Sequence, residues 1–121
     1  MTIHGIKNKC ENNGYNAEIL HYASGFDAVC VDIYGIKEAY TDIQKIFRCN
    51  NVVISWNAHS VIIMLADDAI KHKAFEDLKQ SLVNIFWTAI HSGKNQNEAK
   101  LLQYEYAINH NAMDIYNHIY A

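Results

Sequence analysis

The stretch Asp67-Asp68-Ala69-Ile70-Lys71-His72-Lys73-Ala74-Phe75-Glu76-Asp77-Leu78-Lys79-Gln80-Ser81-Leu82-Val83-Asn84-Ile85-Phe86-Trp87-Thr88-Ala89-Ile90-His91-Ser92-Gly93 decides the fold. Ile70, Ala74, Leu78, Leu82, Ile85 and Ala89 recur at steps of four and three, the spacing of one helix face. Asp67 and Asp68 suit the positive end of a helix dipole, and Gly93 suits a left-handed stop. Toward the C-terminus Phe75, Val83, Phe86, Trp87 and Ile90 widen the apolar stripe past half the circumference. A helix of that kind needs cover on more than one side.

Working back from this helix, Val61-Ile62-Ile63-Met64-Leu65 is apolar at every position, as expected of a strand covered on both faces. With Val52 to Trp56 it forms a hairpin, turning at Asn57-Ala58-His59. The same order occurs upstream. Tyr15 to Tyr22 and Phe26 to Tyr34 are strands joined at Ala23-Ser24-Gly25, where glycine supplies a positive φ. Gly35 breaks the second strand, and Ile36 to Phe47 carries Ile36, Ala39, Tyr40, Ile43 and Phe47 on one helical face. An offset of 35 residues superposes Ile19 on Ile54, Ala39 on Ala74, Tyr40 on Phe75 and Ile43 on Leu78, which suggests two ββα units, 15–48 and 52–92. A short helix over 2–13, capped by Thr2, precedes them, and helices over 98–120 follow, the last recapped at Asn111. The expectation is one α+β domain over 1–121. Its four-stranded, mainly antiparallel sheet carries both crossover helices on one face, and the C-terminal helices or a second subunit cover the rest.

Composition narrows the chemistry. The 121 residues are 50% hydrophobic and 19% charged, with a formal net charge of −3 and a single arginine, Arg48. That disfavours nucleic acid, whose binding leans on Lys and Arg against phosphates. No apolar run reaches the roughly 20 residues of a membrane span, and Met1 to Lys7 lacks the pattern of a secretory signal. Cys10, Cys30 and Cys49 are sparse and odd in number, which points to reduced thiols in the cytoplasm, with Cys30 in the core.

Seven histidines raise metal and acid–base chemistry. His110, Asp114 and His118 would stack on an unbroken helix, but Asn109-His110-Asn111 looks like a break, and no metal is expected. His72 lies four residues from Asp68 and Glu76 and is expected to form a surface ion pair. Cys49 beside Arg48 has a motive for a lowered pKa and no flanking nucleophile signature. Ser92-Gly93-Lys94 follows a helix and lacks the upstream glycine of a phosphate loop. No catalytic residue and no cofactor follow from this pattern.

The leading expectation is a small non-enzymatic protein acting by protein–protein contact, self-associating, with a dimer favoured. Phe86, Trp87, Ile90, Leu101, Tyr104, Tyr106, Tyr116 and Tyr120 form its interface, since tyrosine and tryptophan bury area while keeping a polar end. Abundant Asn and Ile, with Lys far above Arg, suggest an AT-rich genome, which fits a phage or mobile-element inhibitor of host defence, anti-CRISPR-like, by association alone. The alternative is a small-ligand or nucleotide pocket, with or without catalysis, lined by Trp56, His59, Tyr104 and His110.

Overall fold

The computed structural model describes residues 1–33, 37–56 and 59–120. Tyr34 as the end of a strand, Gly35 as its break, Ile36 on the helical stripe and the turn residues Asn57 and Ala58 lie outside them. The protein is α+β, and the chain divides into two compact units, Met1–His72 and Lys73–Ala121.

The first unit contains α1 (Ile3–Asn12), β1 (Ala17–His21), β2 (Asp27–Asp32), α2 (Lys37–Ile46), β3 (Val52–Trp56), β4 (Ser60–Leu65) and the opening turns of α3 (Ala66–His91). Thr2 caps α1, its hydroxyl accepting from the Gly5 N–H at 3.0 Å. Gly14 and Gly25 take positive φ at the two turns, +87° and +86°, where any Cβ would strain the backbone. The sheet is antiparallel throughout, ordered β1-β2-β4-β3, so β1 and β3 are its edges. Val29 pairs with Ile63 at its centre, flanked by Ile19 on one side and Ile54 on the other. The 35-residue correspondence of Ile19 with Ile54 therefore holds for β1 and β3, while Val29 and Ile63, at equivalent positions of β2 and β4, correspond at 34 residues.

Alternation along the strands puts Ala17, Val29, Val31, Val61 and Ile63 on one face. There they pack with Ile6 and Cys10 of α1 and with Ile43 and Phe47 of α2 and its exit. Each fully buried branched side chain contributes about 1.5–3 kcal/mol. Helices do cover one face of the sheet, and they are α1 and α2. The opening of α3 lies instead beside the opposite face, where Ala69 and His72 share a cavity of about 230 Å³ with Val53, Ile62 and Met64. The strand correspondence thus stops at the helices. Tyr40 packs into the core of the first unit, whereas its counterpart Phe75 packs within the second. Cys30, expected in the core, faces that opposite side and is half-buried; the buried thiol is Cys10.

Two groups in this core make its stability depend on alkaline pH. Burial, with Glu11 adding to it, pushes the Cys10 thiol from 9.0 up to about 11. Tyr15, pushed up to about 12 by desolvation and then by its hydrogen bond to Asp42, donates its hydroxyl to that carboxylate at 2.6 Å. Both hold their protons more tightly folded than unfolded, so the stabilisation is complete below about pH 9 and is lost as pH rises toward 12. Urea midpoints should fall across that window, and Cys10→Ala should flatten the part between about 9 and 11. An unchanged slope in that variant would refute the assignment.

The second unit holds the rest of α3, then α4 (Gln96–Asn109) and α5 (Met113–Ile119). Gly93 ends α3 at φ +96°. The helix stripe that the spacing suggests holds from Leu78 onward and fails at its first two positions. Ile70 is 70% exposed and Ala74 is exposed, while Leu82 and Ala89 are buried. Leu82 meets Ala107, Ala112 and Ile115, with Phe75 and Leu78 packed alongside. At the position of Ala74 the bulkier Phe75 turns inward instead. Asn95 and Glu98 make a reciprocal capping box, which starts α4 two residues before the expected Glu98. Asn111 does not cap α5. It takes φ +53°, a left-handed residue between the helices, and α5 starts after Ala112 with no side-chain cap.

Candidate functional site

The helix α4 is built inside out. Its buried residues are Ala99, Gln103 and Ala107, at steps of four, and they form one stripe. Its outward residues are larger and more apolar. Leu101 is 57% exposed and Ile108 is 52% exposed, with Leu102 and Tyr104 exposed beside them. Leu101, Tyr104 and Ile108 stand at i, i+3 and i+7, one continuous stripe. Small inward residues let the helix approach its neighbours closely, so Leu101, Tyr104 and Ile108 stay outside this core, while Tyr106 packs on its edge.

Gln103 holds this orientation. Its amide Nε2 donates to the Leu82 carbonyl at 2.7 Å, and its Oε1 accepts from the Tyr120 hydroxyl. Tyr120 in turn meets the Lys100 ammonium, 4.9 Å above its ring, and the Tyr116 ring at 5.0 Å. Burial raises the Tyr120 hydroxyl above its ordinary range, with the nearby Tyr116 adding to it and the bond to Gln103 opposing. A groove of about 270 Å³ runs past Phe86, Trp87, Lys100, Gln103 and Tyr120. Trp87 on its rim is 54% exposed and meets the Phe86 ring edge-on at 5.3 Å.

No family model, curated protein or solved structure matches this chain. Its function must therefore be argued from its own residues.

Of the expected interface, Trp87, Leu101, Tyr104 and Tyr120 are exposed, and Phe86 and Ile90 are half-buried. Tyr106 and Tyr116 are also half-buried and pack on the core of the second unit. Ile108 completes the exposed stripe and Leu102 is exposed to one side of it, both of them apolar positions outside the expected interface. The signal for them was present in the Ala99–Gln103–Ala107 stripe, which marks the inward side.

The expected pocket residues are divided between the units. Trp56 stacks on Tyr40 at 5.6 Å, and His59 follows it before β4. Tyr104 meets Tyr116 edge-on, while His110 caps α4 and stacks on Tyr106 at 3.8 Å. That cap, with Asn111 left-handed, throws His110 off the line of Asp114 and His118. Among the described residues no group of three or more His, Cys, Asp and Glu side chains converges as ligands.

His72 makes neither expected ion pair. Its Nδ1 is 2.7 Å from the Ser24 hydroxyl, and its ring lies 4.5 Å from that of Tyr22. Beside Ser24, the Gly25 N–H is already given to the Tyr22 carbonyl at 3.0 Å. The contact pins the β1–β2 turn to the start of α3.

Proposed function

We propose that this chain is a non-catalytic binding protein that works by protein–protein contact, with a partner protein and with a second copy of itself. The observation that supports it is the inverted α4: Ala99, Gln103 and Ala107 face inward, while Leu101, Tyr104 and Ile108 face water. Exposed apolar residues scattered singly need no explanation, but a continuous stripe does. Aromatic anchors in such a patch carry most of the binding energy at protein interfaces. An inhibitor that blocks another protein's surface fits this physics, because it needs contact and no chemistry of its own.

Capture experiments test it. Leu101→Glu with Ile108→Glu alters two side chains that are more than half exposed, so stability should change by under about 1 kcal/mol. Proteins retained by the wild type should be lost from this variant, or weakened at least roughly a hundredfold. A variant that still captures every one of them with unchanged affinity sinks the proposal.

A further inference from the structure

We infer that β3 is an interface strand that pairs antiparallel with β3 of a second copy, joining two four-stranded sheets edge to edge. This rests on the self-association half of the proposed function and assigns it to the first unit.

The backbone states which groups of β3 are free. Asn51 C=O accepts from Ala66 N–H at 3.1 Å, which makes Asn51 and Ala66 a hydrogen-bonded pair of the β3–β4 ladder. Antiparallel ladders alternate, so Val53 and Ser55 also turn their backbone groups toward β4, and Val52, Ile54 and Trp56 turn theirs outward. The Val52 N–H is given to Asn50 C=O at 3.0 Å. Among the described residues no backbone bond outside the sheet ladder involves Ile54 or Trp56. Edge strands present such groups as a template for pairing, and proteins that avoid it guard the edge with charge, proline or a bulge.

The two edges of this sheet differ in that respect. β1 carries the exposed carboxylate of Glu18, and at its end His21 meets Asp27 at 2.8 Å. β3 reads Val52-Val53-Ile54-Ser55-Trp56, β-branched and aromatic residues with one serine. No Asp, Glu, Lys, Arg or Pro occurs between Arg48 and Asp67. Its side chains are not covered either, with Val53 47% exposed and Ser55 and Trp56 exposed.

The occupant follows from self-complementarity. A two-fold axis through Ile54 sets Ile54 against the second copy's Ile54, Val52 against Trp56, and Val53 against Ser55. Every outward residue then falls on a hydrogen-bonded pair. Each Ile54 N–H donates to the other Ile54 C=O, and each Trp56 N–H donates to a Val52 C=O. Trp56 against Val52 is the aromatic–β-branched pair that stabilises antiparallel strands. An uncharged strand calls for an uncharged partner, and the chain's own β3 is one present at equal concentration.

The test uses the solvent-facing positions 53 and 55, which lie directly opposite each other in this register. Val53→Lys with Ser55→Lys sets lysine against lysine twice across the axis. Val53→Lys with Ser55→Glu sets lysine against glutamate twice. Mass by light scattering and amide exchange at Ile54 and Trp56 are the readouts, with circular dichroism confirming the fold. Wild type and the lysine–glutamate variant should be dimers with both amides protected, and the double-lysine variant should dissociate roughly tenfold or more readily. A monomeric wild type overturns the pairing and the self-association half of the proposed function together. A double-lysine variant that remains fully dimeric overturns the pairing alone, and a monomeric lysine–glutamate variant overturns this register. Protection of Ile54 and Trp56 in a monomeric wild type only on adding an unrelated uncharged peptide would assign the edge to another occupant.

Discussion

Replacing Phe47 with alanine should destabilise the protein by about 3–5 kcal/mol, a large part of what a domain this size commands. The ring is 2% exposed, packed with Ile6, Ile43 and the central strands. It also lies at a junction of the backbone. Its N–H closes α2 on Ile43 C=O at 3.1 Å, and its own C=O accepts from Asn50 N–H at 2.9 Å, steering the chain into β3. The Lys9 ammonium sits 5.4 Å above the ring and donates to Asn50 Oδ1 at 3.0 Å. Phe47→Leu separates the contributions. It keeps most of the packing and loses the cation–ring contact, so its cost should be about 1–2 kcal/mol. Urea unfolding followed by circular dichroism measures both. A Phe47→Ala cost under about 1 kcal/mol would mean that the cavity collapses or that the ring is not packed as described.

The strands and caps were legible because each is encoded locally. Val52 to Trp56, the glycine at 25 and the Thr2 cap are matters of neighbouring residues. So was the antiparallel sheet, since hairpins with short turns leave few alternatives. What was not legible depended on choices between nearly equal faces. Ile70 and Ala74 continue the apolar spacing of α3 as well as Phe75 does, and only packing shows that Phe75 turns inward. Asn111 has the residue type of an N-cap and the conformation of a left-handed linker, because asparagine tolerates both. His72 has two carboxylates at helical spacing, yet a hydroxyl 48 residues away in sequence takes its ring nitrogen.

The residues of the proposed interface were chosen by type and not by face. Tyrosine and tryptophan mark surfaces that bury area and keep a polar end, and that selected Trp87, Tyr104 and Tyr120 with the inward Tyr106 and Tyr116. The face is set by what is small. Ala99, Gln103 and Ala107 permit close approach on one side, and Leu101, Tyr104 and Ile108 are then directed outward, while Tyr106 packs on the core edge. The single polar member of that inward stripe, Gln103, is what a second prediction tests.

Gln103→Glu should cost about 3 kcal/mol at pH 7 and much less near pH 4. Gln103 is 1% exposed and spends both ends of its amide, donating to the buried Leu82 carbonyl and accepting from Tyr120. Glutamate has the same shape without the N–H. Ionised, it would set a carboxylate oxygen against the Leu82 carbonyl oxygen, with Lys100 in the same groove as the nearby cation to offset part of the cost. Protonated, its O–H can donate to that carbonyl and restore the bond. The folded protein therefore raises the pKa of the introduced acid above its unfolded value near 4.3. A group shifted in that direction contributes stability below the unfolded value and loses it as pH rises through the folded one. Relative to wild type at each pH, the deficit in urea midpoint should open between about pH 4 and 7. Gln103→Leu should cost about 1–2 kcal/mol with no such opening, because it removes the bond without adding a charge. A Gln103→Glu profile parallel to the wild-type profile would show that position 103 is solvated and that α4 is held by packing alone. If the deficit opens as expected, partner capture through Leu101 and Ile108 should weaken over the same pH window, since Gln103 keeps their stripe outward.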